Sequence, residues 1–254
     1  MTTSTPALEI RQLSKRFGTN VAVDNLDLVV PSGSFFGLVG PNGAGKTTTL
    51  SMATGLLRPD GGSVSIHGVD VWTNLVKAKS LVGNLSDGVR LFDRLTGTQL
   101  VTYAGLLYGM ERDVVAARAA DLLTMLDLEG AGNTLVVDYS AGMTKKIALA
   151  CALVHAPQLL VLDEPFESVD PVSAANIRDI LEGFVKSGGT VIVSSHVMDL
   201  VQRMCDHVAV IDKGRVIVAG TTDEVRAGST LEERFVELVG GRNKGEGPEW
   251  LRLS

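Results

Sequence analysis

The sequence predicts an α/β fold with a mostly parallel sheet, an antiparallel β subdomain and a helical insertion. Three observations carry that prediction. The runs Phe35-Phe36-Gly37-Leu38-Val39, Leu159-Leu160-Val161-Leu162 and Thr190-Val191-Ile192-Val193 are continuously apolar and of strand length, as expected of strands covered on both faces. Helical stretches separate them, and strands alternating with helices build a parallel sheet. From about residue 88 to residue 155 the apolar period is helical throughout, so this segment interrupts the alternation.

Taken in order, residues 7–13 alternate apolar and polar side chains and read as a strand, and residues 25–30 read as another, stopped by Pro31-Ser32-Gly33. Between them Lys15-Arg16-Phe17-Gly18 reads as a turn with one exposed aromatic. Residues 35–39 lead into a Gly-rich turn, and a helix is expected over 47–57, ended by Arg58-Pro59-Asp60-Gly61. Residues 63–66 form a short strand closed by His67-Gly68, and 81–85 a further one. Within the insertion, helices are expected over 96–108, with Leu100, Tyr103, Ala104 and Leu107 on one face, over 114–126, with Ala117, Ala120, Leu123 and Met125, and over 141–153. A strand at 159–162 ends in Asp163-Glu164, a helix follows near 172–185, and a strand at 190–193 ends in Ser194-Ser195-His196. Residues 207–212 and 215–219 flank Lys213-Gly214 and read as a hairpin. The Gly-rich stretch over 241–254 reads as a flexible tail.

With 254 residues, 45% of them apolar and 20% charged, the chain can bury a substantial core. A net charge of −6 argues against nucleic acid as its main partner, since no basic excess exists to neutralise phosphates. Cys151 and Cys205 are far apart in apolar periodic stretches and are expected to be buried thiols in a reducing compartment. The N-terminus lacks the basic start and apolar core of a signal peptide, and no apolar run reaches the 18 residues a membrane-spanning helix requires.

The chemistry centres on Gly40-Pro41-Asn42-Gly43-Ala44-Gly45-Lys46-Thr47-Thr48, which fits the phosphate-loop template at every fixed position. The glycines let backbone N–H groups turn inward, and the helix that follows adds partial positive charge, so a polyphosphate is held there. This makes the predicted core that of a P-loop NTPase. Lys46 is expected to reach the β- and γ-phosphates and the Thr47 hydroxyl to ligate Mg²⁺. Asp163, closing an apolar strand, suits a carboxylate that holds Mg²⁺ through its water shell, and Glu164 is the candidate general base for a water attacking the γ-phosphate. His196 ends another buried strand at the same edge of the sheet. Tyr139-Ser140-Ala141-Gly142-Met143 opens a helix, where small residues could form a second anion site; taken alone it reads as a plain helix cap.

In order, the phosphate loop, Ser140-Ala141-Gly142-Met143, Leu162-Asp163-Glu164-Pro165, Val169-Asp170-Pro171 and His196 resemble the motifs of an ATP-binding cassette (ABC) transporter ATPase. The resemblance covers nearly all of residues 7–240. It implies ATP and Mg²⁺ as ligands, with the whole loop 40–48 on the phosphates, Phe17 stacked on adenine and His196 against the γ-phosphate. Ser140 and Gly142 would belong to a signature loop that binds ATP held by a second ATPase subunit, and Asp170 to a loop crossing that interface. The implied assembly is a head-to-tail dimer, most simply of two identical chains, with two sandwiched nucleotides.

By the same resemblance residues 1–240 form one ATPase domain, with a core over about 1–87 and 156–220, a helical subdomain over about 88–155 and C-terminal helices over about 221–239. Leu91-Phe92-Asp93-Arg94-Leu95-Thr96, Tyr108-Gly109, Gly142-Met143 and Leu231-Glu232-Glu233-Arg234-Phe235 look like the exporter branch with a separate ATPase chain. The implied function is a cytoplasmic ATPase on the inner face of the cell membrane, driving integral membrane transport subunits. The alternative is a soluble ABC ATPase of the iron–sulfur-cluster assembly type. Two positions depart from the family pattern. Asp87 stands where the family has a metal-contacting Gln, or sometimes Glu, and Ala141 replaces a signature Gly. Were φ positive at residue 141, Ala would cost about 1 kcal/mol there.

Overall fold

The computed structural model describes residues 5–88 and 90–240; the predicted tail at 241–254 lies outside the described residues. The chain begins with β1 (Leu8–Phe17), β2 (Asn20–Val30) and β3 (Phe35–Val39), then α1 (Lys46–Ala53), β4 (Gly61–Ile66), β5 (Val69–Asp70), α2 (Leu75–Leu81) and β6 (Val82–Leu85). The insertion holds α3 (Gly97–Leu107), α4 (Arg112–Met125) and α5 (Ala141–Leu153). Then come β7 (Leu159–Asp163), α6 (Pro171–Lys186), β8 (Thr190–Ser195), α7 (Met198–Met204), β9 (His207–Asp212), β10 (Arg215–Thr221), α8 (Thr222–Arg226) and α9 (Leu231–Val239).

Two sheets result. The larger runs β10-β9-β3-β8-β7-β6, parallel except for β10 at its edge, and the smaller is antiparallel, β2-β1-β4-β5. Every residue of β3, β7 and β8 is buried, which is why their sequences show no alternation. Successive side chains still point to opposite faces. Phe36, Leu38, Val161 and Ile192 pack with the smaller sheet, α1 and α2, whereas Phe35, Val39, Leu160 and Val193 pack with the insertion and α6. The phosphate-loop turn and the ends of β7 and β8 therefore emerge at one edge of the sheet, where ligands of such folds bind.

The structure corrects several element readings. Lys15, Arg16 and Phe17 belong to β1 rather than a turn, and β2 starts at Asn20, not residue 25. Register shifts along the β1–β2 pair, with left-handed backbone at Gln12 and Asn25 (both φ 49°), break the strict alternation by which a strand is recognised. Helix α1 ends at Ala53, four residues early; α2 and α7 were not foreseen, and Leu81 closes α2 instead of opening a strand. In α3 the buried side is Leu100, Val101 and Gly105, leaving Tyr103 and Leu107 exposed. In α4 it is Val115, Ala119, Leu122 and Leu123, and Ala117 and Ala120 face outward. Alanine is tolerated on either side of a helix, so a face read from alanines was poorly determined.

Candidate active site

Strand β3 ends at Val39 and the chain turns through residues 40–45 into α1. Gly43 and Gly45 take φ of 79° and 103°, and a Cβ on Gly45 would also collide with the Ala22 carbonyl oxygen, so glycine is required there on two counts. A Cβ on Gly40 would meet the Ile211 carbonyl. From the other side Gly214, in the β9–β10 turn, closes on the same place. Its φ is 77°, a Cβ on it would come within 2.7 Å of Ala22 O, and its N–H donates to Ala44 O at 2.8 Å. The loop is thus clamped between β2 and the hairpin turn.

Helix α1 has Gly45 as its N-cap and no side-chain cap, so its first-turn N–H groups have no side-chain acceptor of their own. Lys46 is buried, and its ammonium donates to Gly40 O at 2.7 Å and Pro41 O at 3.2 Å. Burial lowers its pKa, while the neighbouring Glu164 and Asp163 carboxylates pull the other way.

Asp163 closes β7 with its Oδ1 accepting from the Ser194 hydroxyl, and its Oδ2 is buried without a hydrogen-bond partner. An unpaired buried carboxylate oxygen is costly unless a cation or donor meets it. No group of three His, Cys, Asp or Glu among the described residues could cage a metal by itself. That donor set fits Mg²⁺, which takes one or two carboxylates and completes its shell with water and substrate phosphates. Asp163 and Thr47, the second residue of α1, line the same cleft and are the residues that would hold it.

Glu164 has φ 47°, a strained value for this side chain, and is pinned there by its N–H donating to Ser194 Oγ at 2.9 Å. Its Oε1 lies 3.1 Å from His196 Nδ1. A cleft of about 590 Å³ brings Phe17, the loop from Asn42 to Thr48, Asp87, Asp163, Glu164 and His196 onto one surface. Phe17 is 49% exposed at its rim, with the Lys15 ammonium 5.7 Å from the ring centre. Asn20 and Glu167 share this lining and were missed in the sequence. Both sit three residues beyond a residue that was found, Phe17 and Glu164, within the same turn.

Ser140, Gly142 and Asp170 do not line the cleft. They cluster at the starts of α5 and α6. Ser140 caps α5 by accepting from Met143 N at 3.3 Å, and Asp170 caps α6 by accepting from Val172 N and Ser173 N at 3.0 and 2.9 Å. The Ser173 bonds hold the Asp170 carboxyl below the usual carboxylate range. A Cβ on Gly142 would come within 3.0 Å of both Asp170 Oδ2 and Ser173 Oγ, so only glycine fits this packing without displacement. Ala141 is the first helical residue of α5, with no positive φ, and the conformational penalty considered above does not arise.

The sequence profile of ABC transporters matches residues 23–167, more than half of the chain, including the phosphate loop, Ser140-Ala141-Gly142-Met143 and Asp163-Glu164. The chain belongs to the ABC transporter family. It is 38% identical over 226 residues to the daunorubicin/doxorubicin resistance ATP-binding protein DrrA of Streptomyces peucetius, covering 89% of this chain and 68% of that one. It is 36% identical over 221 residues to the Nod factor export ATP-binding protein I of Cupriavidus metallidurans, covering 87% and 73%. Among solved structures, an ATP-binding subunit of an ABC transporter superposes with a TM-score of 0.85 at 28% identity, over 91% of this chain and 99% of that one. For an ABC transporter chain, its two departures now have locations: Asp87 on the cleft wall and Ala141 in regular helix.

Proposed function

We propose that this chain is the ATP-binding and ATP-hydrolysing subunit of an ABC exporter, paired with a second copy of itself and driving separate integral membrane subunits. The observation that carries the proposal is the convergence of Lys46, Asp163, Glu164 and His196 on one cleft behind a phosphate loop. The loop N–H groups and Lys46 hold the phosphates, and Phe17 stacks on the adenine. Glu164 takes the proton of the attacking water, and His196 orients Glu164 and contacts the γ-phosphate. Thr47 and Asp163, with Asp87 nearby, would hold Mg²⁺, which when bound would supply charge neutralisation at the phosphates. Ser140 and Gly142, which do not line the chain's own cleft, serve nucleotide held by the partner copy, with Asp170 at the crossing.

Export through other subunits rests on two further supports. The relatives named above are export and resistance subunits, which favours this reading over the soluble iron–sulfur-assembly alternative. No helix among the described residues is long and apolar enough to cross a membrane, and the proposal gives that part to separate chains. The exposed Phe92, Tyr103 and Leu107 of the insertion, Leu107 at 70%, offer such chains an apolar surface. Purification of the tagged chain from native membranes tests this. An integral membrane protein is expected to co-purify and to alter ATP turnover; recovery with a soluble partner alone would favour the alternative.

A further inference from the structure

We propose that Lys145 is a positioning residue that sets how strongly ATP binding depends on Mg²⁺, by competing with the metal for Asp87. This rests on the ATPase reading above. Lys145 lies one turn into α5, and its side chain reaches out of the helical insertion to the core. Its ammonium donates to the backbone carbonyl of Glu164 at 3.0 Å and lies 3.7 Å from Asp87 Oδ1. It is 19% exposed, whereas Asp87 is 48% exposed.

Asp87 occupies a shared wall. It lines the nucleotide cleft and also a neighbouring groove of about 340 Å³, and Lys145 lines only the groove. The ammonium therefore approaches the carboxylate from the groove side, leaving its other side to the cleft. Among the described residues lining the cleft, Asp87, Asp163, Glu164 and Glu167 are acidic, against the single lysine Lys46. A polyphosphate entering without metal meets that excess of negative charge. Lys145 offsets the part contributed by Asp87, and Mg²⁺ offsets it when present, so the two cations are alternatives at one carboxylate. The bond to the Glu164 carbonyl does not depend on the metal and keeps the ammonium in reach. One side chain thus connects the helix headed by Ser140, the departure at Asp87 and the backbone of the candidate base.

The test is calorimetric titration of ATP into the full chain, in excess EDTA and at saturating Mg²⁺. Lys145→Gln removes the charge while leaving a donor for the Glu164 carbonyl. It is expected to weaken ATP binding in EDTA about fivefold, the equivalent of about 1 kcal/mol for a half-exposed ion pair, and to leave binding in Mg²⁺ near wild type. Asp87→Asn is expected to tighten binding in EDTA, and Lys145→Gln added to it to change affinity less than about twofold. Lys145→Arg, which keeps the charge, should restore wild-type behaviour. An equal loss from Lys145→Gln in both backgrounds, or no loss in either, overturns the inference while leaving the ATPase reading intact. A wild-type chain that binds no ATP under either condition overturns both.

Discussion

Helices α1 and α5 both open on a short glycine-containing turn, Gly45-Lys46-Thr47 and Ser140-Ala141-Gly142, and both carry the partial positive charge of a helix N-terminus. Their first-turn N–H groups are used differently. At α1 the cap is a glycine at φ 103°, no side chain competes for the donors, and a buried lysine stands beside them. At α5 the Ser140 hydroxyl already accepts from Met143 N, and the space a Cβ on Gly142 would enter is bounded by the Asp170 carboxylate and the Ser173 hydroxyl. A helix dipole alone therefore does not make a phosphate site. What distinguishes the two ends is whether a side chain consumes the donors and whether a cation or a carboxylate adjoins them.

The strongest way to break the contrast is Lys46→Ala. Removing a desolvated cation from its partners costs about 2–5 kcal/mol, and here it also frees the carbonyls of Gly40 and Pro41 that the ammonium ties together. ATP affinity is expected to fall by more than about 30-fold, with turnover lost; an unchanged affinity in direct titration would mean the loop is not the nucleotide site. Next, Glu164→Gln should lower kcat by roughly 10²–10⁴ and leave an ATP-bound dimer that size-exclusion chromatography resolves. Turnover at the wild-type rate would remove Glu164 from the mechanism. Ser140→Arg acts on the other helix end. It should abolish turnover while monomer ATP affinity stays within about twofold, and a mixture with Lys46→Ala protein should recover dimers with one intact site. Equal loss of monomer binding would show that α5 serves its own chain's nucleotide. The smallest effect belongs to Ala141→Gly: with residue 141 in regular helix, urea unfolding should show a loss of less than about 1 kcal/mol, and a gain would mean that Ala141 is strained.

Legibility in the sequence followed how local each signal is. The phosphate loop could be read because its glycines answer to backbone geometry within nine residues. Asp163, Glu164 and His196 could be read because each ends a buried apolar run, and parallel strands bring such ends to one edge. The reach of β1 could not, since its bulges cancel the period of two. Nor could the outward side of α3, where Tyr103 and Leu107 continue an apolar pattern that the core does not use. Lys145 carries no local mark at all. Its partners, Asp87 and Glu164, lie 58 residues before it and 19 after, and only the fold makes them neighbours.

The clamp at Ala22 bears on how freely parts of this chain could be exchanged with those of another. Gly214 does not itself line the cleft, sits in a hairpin turn and lies far along the chain from the phosphate loop. Yet any side chain there would press on the same carbonyl that Gly45 rests against. The hairpin is therefore a poor module to graft or recombine. A replacement that folds well on its own but carries alanine at this turn would push β2 against the phosphate loop, and the damage would register as lost nucleotide affinity in a part of the molecule that had not been altered.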